Sequence, residues 1–422
     1  MGNKTGDDWL ESIAEELAES YIVLEEEILA DICRRFQKTD TATASALHQI
    51  RQLQEQGIDM KVIESKIKKT LNITQKQLDD MFQEAVAREQ AYTAELLDKA
   101  KITKPSIRNQ VLLLQEIAII KQQTKKEMYN ITQSLGFSFK VNGKPQFYYI
   151  AEAYQKVLDV AYLEVSTGVI DYNTAAKNAV KKLSDSGMKY VYYDKEGKKP
   201  FEPPKRYVNH VDVAVKRAIR TGISQAQGIL SENTINTLET PYVEVTAHAG
   251  ARTGSGIANH AGWQGQVYYW KEKSEYGENT LHYPDFVDTT GYGEGAGLKG
   301  YNCSHNFRAF IPNVSSRIYT DEELYHMAND TFSYKGKDYT MYEATQYMRK
   351  IERDMRQLKR NLIGFNNPNT QKEFENTAIK LQKKSKEYTA FSRAASLKKR
   401  IPSTQVLGFD KALAAKARRV YK

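Results

Sequence analysis

A chain of 422 residues is longer than one ordinary hydrophobic core can serve, so two or three structural regions are expected. With 41% hydrophobic and 27% charged residues it reads as a soluble protein, and its most apolar run, residues 111–120, is broken by Gln115 and Glu116, which excludes a bilayer span. The net charge of +9 is uneven: residues 1–31 hold ten acids against Lys4 alone, whereas residues 341–422 hold twenty Lys and Arg against seven acids. Such asymmetry suits two different partners, or one oriented head-to-tail association. The opening MGNKTGDDWLE offers no apolar signal core, and Gly6 stands where a myristoylation motif would carry Ser or Thr. Cys33 and Cys303 sit far apart in unlike contexts, so no structural disulfide is expected and a reducing cytoplasm suits the chain.

Residues 1–135 read as an elongated helical region. Leu10, Ile13, Leu17, Tyr21, Leu24 and Ile28 recur every three or four positions, which places them on one helical stripe with acids elsewhere. Shorter helical units are expected over 45–56 and 60–71, and Thr74 is a candidate N-cap for the next helix. Lys104-Pro105 breaks that helix, and another is expected over 106–134. No cluster of His, Cys or carboxylates in this region suggests chemistry.

The pattern changes at Gly136, where a small α+β domain is expected over 136–320. Asn142-Gly143 predicts a hairpin within 137–149. Helices are expected over 150–165 and 172–185, then a second hairpin with one strand at 190–193, a turn at 194–197 and a partner from Lys198 onward. After Pro203-Pro204 a helix is expected over 208–234, carrying Lys216, Arg217 and Arg220, followed by strands at 242–246, 266–270 and 307–311. A third region, 321–422, opens at Thr320-Asp321-Glu322-Glu323, where acids favour a helix start. There Ala344, Tyr347, Met348, Ile351, Met355, Leu358 and Leu362 form an apolar stripe, and Asn366 to Asn369 separates it from a basic helix over 371–391. The two predict an antiparallel helical pair. The fold class expected is therefore α+β, mainly helical.

The densest chemistry lies between His248 and His305, which contains four of the seven histidines, two of the three tryptophans and much of the glycine. Glycine permits backbone geometry that a side chain forbids, so such a mixture points to one specific arrangement rather than a linker or a helix. Cys303 and His305, with His248 and His260 converging on them, are a chemically allowed zinc set. Only Cys303 and His305 have the tight spacing usual in structural sites, so the histidines are read as hydrogen-bonding loop carbonyls and Cys303 as a small buried hydrophobe, with no metal. Arg252, His248, Glu244 and Asp285 suggest a nuclease-like or ADP-ribosyl-transfer cleft. Yet there is no nucleophile elbow, Walker loop or HExxH, and in GYGEGAG the glycines 291, 293, 295 and 297 alternate rather than follow GxGxxG. No catalytic residue and no cofactor is expected. The basic residues of 341–422, Lys398, Lys399 and Arg400 among them, suit either phosphate neutralisation or an acidic protein face.

HAGAR, WQGQVY, YPDF, TGYGEGAG and GYNCSH, in this order, resemble the signature of the phage minor capsid protein 2 family of tailed phages and prophages of Gram-positive bacteria. The chain is similar, more distantly, to head-morphogenesis proteins encoded beside portal genes. The resemblance covers about 140–410 well and the N-terminal third more loosely. This chain departs from the pattern by an extra turn at Thr253-Gly254-Ser255-Gly256, and by Lys299 where the family often carries a second cysteine. The resemblance implies a minor structural head protein of the virion, assembled in the host cytoplasm in few copies near the portal vertex. Its implied partners are the portal or major capsid protein, with non-specific contact to packaged DNA through the basic C-terminal region, self-association, and no membrane. The alternative is a toxin-like or nuclease-like enzyme carried in the head, using residues 248–305.

Overall fold

The three-to-four spacing of apolar residues at the N-terminus produces one long helix in a computed structural model of the chain. The structure describes residues 6–38, 60–101, 107–141, 143–167, 169–193, 206–301, 303–366, 370–406 and 409–420. Helix α1 (Gly6–Lys38) buries the stripe residues Ile13, Leu17, Tyr21, Leu24 and Ile28. Helix α2 (Met60–Ala100) is continuous where two units were expected. Thr74 is not an N-cap: it is fully buried within the helix, because Leu71, Leu78, Met81 and Phe82 continue one apolar face past it. Helix α3 (Ile107–Gln133) follows; the unit expected at 45–56 and the break at Lys104-Pro105 lie outside the described residues.

Strands β1 (Leu135–Val141) and β2 (Lys144–Tyr149) form the hairpin read from Asn142-Gly143, with Gly143 at φ +78. Helices α4 (Ile150–Ser166) and α5 (Tyr172–Ser186) lead to β3 (Met188–Tyr193), and Asp171 caps α5 by accepting the Thr174 N–H at 3.0 Å. Strand β4 (Arg206–His210) corrects the helix expected from 208: it pairs antiparallel with β3, from Lys189 opposite His210 to Tyr193 opposite Arg206. Helix α6 (Val211–Leu238) begins only after it.

The strands expected at 242–246, 266–270 and 307–311 are β5 (Tyr242–Val245), β6 (Val267–Tyr269) and β7 (Phe307–Ala309). Between them lie the short helices α7 (His260–Trp263) and α8 (Phe286–Thr290). Helix α9 (Asp321–Asn329) starts as read, with Thr320 and Glu323 forming a reciprocal capping box. A hairpin of β8 (Thr331–Tyr334) and β9 (Lys337–Thr340) was not foreseen; α10 (Met341–Gly364), α11 (Gln371–Ala394) and α12 (Lys411–Val420) complete the order. The fold is thus mainly helical α+β, and no described helix is long and apolar enough to cross a membrane.

The described residues divide into two units, the first drawn from 1–17, 74–128 and 215–346, the second from 18–73, 129–214 and 347–422. Each of the regions 1–135, 136–320 and 321–422 contributes to both. In the first, sheet β6-β5-β7 is antiparallel throughout. Its core joins Ile235 and Leu238 of α6 to Val243, Val245, Trp263, Trp270, Phe286 and Phe307. In the second, sheet β2-β1-β3-β4 carries α4 and α5, with Phe137, Tyr154, Leu158, Leu183 and Met188 buried.

The second unit also accounts for much of the uneven charge. Glu25 of α1 pairs with Arg360 at 2.9 Å, both side chains at most 10% exposed, and Glu27 pairs with Lys66 at 2.7 Å. Helices α10 and α11 run antiparallel: Tyr347 meets Phe391 at 4.6 Å between ring centroids, and Asp354 meets Lys384 at 3.3 Å. The stripe residues Met348, Ile351, Met355 and Leu362 are buried inside the chain, so they offer no apolar surface to a partner. Buried Glu352 accepts from the Tyr388 hydroxyl at 2.6 Å and the Arg400 Nε at 3.1 Å.

Removing one partner of a buried ion pair strands the other, at a cost of about 3–5 kcal/mol. Arg400→Ala should therefore destabilise the second unit by ~3 kcal/mol in chemical denaturation, and adding Glu352→Gln should recover part of the loss. Unchanged denaturation of the single variant would show that the pair carries no net stability.

Candidate functional site

The His248–His305 segment converges on one cluster in the first unit. Strand β5 delivers the chain to half-buried His248, α7 supplies His260 and Trp263, and the approach to β7 supplies Cys303 and His305. The His305 ring stacks on His248 with centroids 4.4 Å apart, and meets Trp263 at 5.0 Å and His260 at 5.3 Å. His260, Trp263, Cys303 and His305 are each at most 3% exposed. His282, the fourth histidine of the segment, is exposed and belongs to none of these contacts.

Proton bookkeeping fixes the rings. The Gln264 side-chain oxygen accepts the His248 backbone N–H at 3.0 Å, which orients that amide; it also lies 3.0 Å from His305 Nε2. His305 therefore carries its proton on Nε2 and turns the lone pair of Nδ1 toward Cys303 Sγ, 3.7 Å away. His260 Nε2 lies 2.6 Å from Arg252 Nη2 and 3.0 Å from the Ala296 carbonyl. A guanidinium only donates, so Arg252 donates to both the ring nitrogen and, at 3.0 Å, that carbonyl. Burial pushes the His260 imidazole down to about 4, with the Arg252 charge acting in the same direction. Burial also holds His305 well below its ordinary range, aided by the neighbouring His248, His260, Lys299 and Arg252. Both rings are neutral at physiological pH.

Glycine makes the wall of this cluster. Gly291 ends α8 at φ +62, and its N–H reaches the Val287 carbonyl at 2.8 Å. A Cβ on Gly297 would lie 2.2 Å from the Gly291 oxygen, so the loop closes on itself only with glycine there. The loop then hydrogen-bonds internally, Leu298 N–H to Thr290 oxygen at 2.9 Å and Tyr301 N–H to Gly295 oxygen at 2.8 Å. It is a folded corner, with no strand-to-helix phosphate cradle. Behind it Trp270, Phe286, Tyr292 and Phe307 form an aromatic cluster with centroids 4.9 to 5.9 Å apart.

The residues that suggested an enzyme are placed in different roles. Asp285 caps α8 through the Asp288 N–H at 2.8 Å and also holds the Lys271 N–H at 3.2 Å. Glu244, its carboxyl raised by burial, accepts the Ile318 N–H at 2.7 Å. Only Arg252 and His248 join the histidine cluster. Three donors could hold a cation: His260, Cys303 and His305 place one ligand atom each within 4.8 Å of one another. Sequence reasoning missed Gln264, and it missed Glu89 of α2. Burial raises the Glu89 carboxyl against the opposing pull of Arg308 and Lys299, and Ser231 Oγ donates to it at 3.2 Å. Gln264 lies within WQGQVY, which gives it no role by spacing, and Glu89 lies in no motif at all.

The profile of the phage minor capsid protein 2 family matches residues 6–392, most of the chain. The chain belongs to that family. As a phage minor capsid protein it has a structural role in the phage head, and its place is the virion. No curated protein and no solved structure matches it. The burial of the signature rings agrees with such a role, since a minor capsid protein needs a stable shape more than an open reaction centre.

Truncation of a large buried aromatic costs about 3–5 kcal/mol, so Trp263→Ala should lower the first unit's stability by that amount in calorimetry. An unchanged transition would mean that the segment is an exposed surface instead. Stability should also depend on acid. Unfolded histidine titrates near 6.5, whereas burial brings folded His260 down to about 4 and holds His305 well below its ordinary range. Between those values the unfolded chain takes up protons that the folded one refuses, so stability is intact above pH 6.5 and falls as pH drops toward 4. At about 1.4 kcal/mol per pKa unit, His260 alone accounts for on the order of 3 kcal/mol. Thermal unfolding at pH 7 and 4.5 should show this loss, reduced in His260→Asn; identical pH profiles for the two proteins would exclude it.

Proposed function

We propose that this minor capsid protein binds at the portal vertex in few copies and positions head proteins during assembly in the host cytoplasm. The observation that carries this reading is the family match over 6–392. The burial of His260, Cys303 and His305 supports it over a packaged nuclease-like or toxin-like enzyme, because a general base must reach substrate. The portal or major capsid protein is the principal partner. Contact with packaged DNA is secondary and falls to the exposed cations of residues 380–419. Lys380, Lys383, Lys386, Lys398, Lys399, Arg418 and Arg419 are exposed, whereas Arg356 and Arg360 are paired with Asp212 and Glu25 in their own unit. Basic side chains on a helical surface neutralise phosphate without reading sequence, and such binding weakens steeply with salt.

Tagged protein expressed during infection should co-purify with portal protein from procapsids, and mass spectrometry should find it in virions at far fewer copies than the major capsid protein. Recovery from virions in numbers equal to the major capsid protein, or retention on procapsids that lack portal, would contradict the vertex assignment.

A further inference from the structure

We propose that His260, Cys303 and His305 bind one zinc-class divalent cation inside the first unit, as a structural site that ties α7 to the approach of β7. The three donors come from segments about forty residues apart in the chain, yet one ligand atom from each lies within 4.8 Å of the other two. Tetrahedral zinc holds sulfur at roughly 2.3 Å and imidazole nitrogen at roughly 2.0–2.1 Å, which sets ligand atoms about 3.3–3.7 Å apart. Cys303 Sγ and His305 Nδ1 already stand at 3.7 Å, so the third donor needs to close by only about an ångström.

The surroundings of the ligands fit as well as the ligands do. A metal-bound histidine gives its other ring N–H to a fixed acceptor, which sets the tautomer and aims the free lone pair. His305 meets this requirement through Nε2 and the Gln264 oxygen at 3.0 Å, itself locked by the His248 N–H. His260 has the Ala296 carbonyl 3.0 Å from Nε2 for the same purpose. Arg252, which now donates to that nitrogen at 2.6 Å, would release it and keep its 3.0 Å bond to the carbonyl. The opposing charge of Arg252 is offset when Cys303 becomes a thiolate: its S–H bond breaks, the proton passes to buffer, and the sulfur lone pair forms the bond to the metal. One proton is released per cation. A set of one thiolate and two imidazoles selects zinc, cobalt or a similar ion over magnesium and calcium, which take oxygen ligands. The half-buried ring of His248, its centroid 4.4 Å from that of His305, is one candidate for a fourth position; water is the other.

Cobalt is a spectroscopic probe for this assignment. Titration of chelator-treated, full-length protein with Co²⁺ should saturate at one equivalent, with tetrahedral d–d bands and a thiolate-to-cobalt charge-transfer band that zinc abolishes. Cys303→Ser should lose the charge-transfer band, whereas Cys33→Ser at the chain's other cysteine and His282→Ala should keep it. If circular dichroism shows that Cys303→Ser does not fold, His260→Gln serves in its place: it keeps the thiol and should weaken cobalt binding at least tenfold. Folded wild-type protein that takes up neither Co²⁺ nor Zn²⁺, a charge-transfer band that survives Cys303→Ser, or full affinity in His260→Gln would each overturn the proposal.

Discussion

Gln264 accepts two N–H donors on a single side-chain oxygen, from the His248 backbone and the His305 ring, each at 3.0 Å. That shared acceptor joins the exit of β5, the end of α7 and the entry to β7. Because one donor is a backbone amide, the Gln264 amide cannot flip without losing a buried bond, and the tautomer of His305 follows from it. The arrangement of the cluster depends on this choice: the lone pair toward Cys303, the stacking on His248, and the edge contact with Trp263. The glycine loop can then fold against the rings because Gly291, Gly297 and Gly300 leave no Cβ in its path. The Gln264 oxygen is satisfied twice, whereas its buried Nε2 meets no acceptor among the described residues, so the oxygen's two bonds are what fix the side chain.

The two charged ends of the chain look like invitations to outside partners, and in part they are answered within the chain. Glu25 and Glu26 of the acidic helix are buried, and Glu25 has Arg360 as its counter-ion. Arg356 is held by Asp212 at 3.2 Å and by the Ser403 carbonyl at 2.6 Å, and Arg400 by Glu352. Counting charges along a sequence overstates the field a partner would meet. What stays exposed includes Lys380, Lys383 and Lys386 of α11, Lys398 and Lys399 beyond it, and Arg418 and Arg419 of α12.

Much of the fold was legible in the sequence because local signals and tertiary packing agree. The heptad-like stripe of α1, the Asn142-Gly143 hairpin, the Thr320–Glu323 capping box and the three strands of the β5–β7 sheet all follow from period, turn chemistry or caps. Failures came where packing overrode a local cue. Thr74 resembles a cap, yet the buried face of α2 runs straight through it. Arg206 to His210 adjoins a helix but pairs with β3 instead. The β8–β9 turn places Lys335 at φ +53 and Gly336 at φ +76, a left-handed pair that Lys-Gly signals far less clearly than Asn-Gly. For the site, the density of His, Trp and Gly marked the segment as constrained. Its spacing did not show that His260 would meet Cys303 and His305, and WQGQVY did not show that Gln264 would be the shared acceptor of His248 and His305. Convergence of distant segments is a property of the packed fold.

The central claim is that the ring cluster of the signature segment, His260, Trp263, Cys303 and His305, is buried within its own unit. Native-state amide hydrogen exchange tests it most directly. The amides of Gln264, Leu298 and Tyr301, bonded to His260, Thr290 and Gly295 oxygens at 3.1, 2.9 and 2.8 Å, should exchange only through global unfolding of the first unit. Their exchange at the rate of exposed loops, with the β5 and β7 amides still protected, would contradict the account and return the segment to the surface.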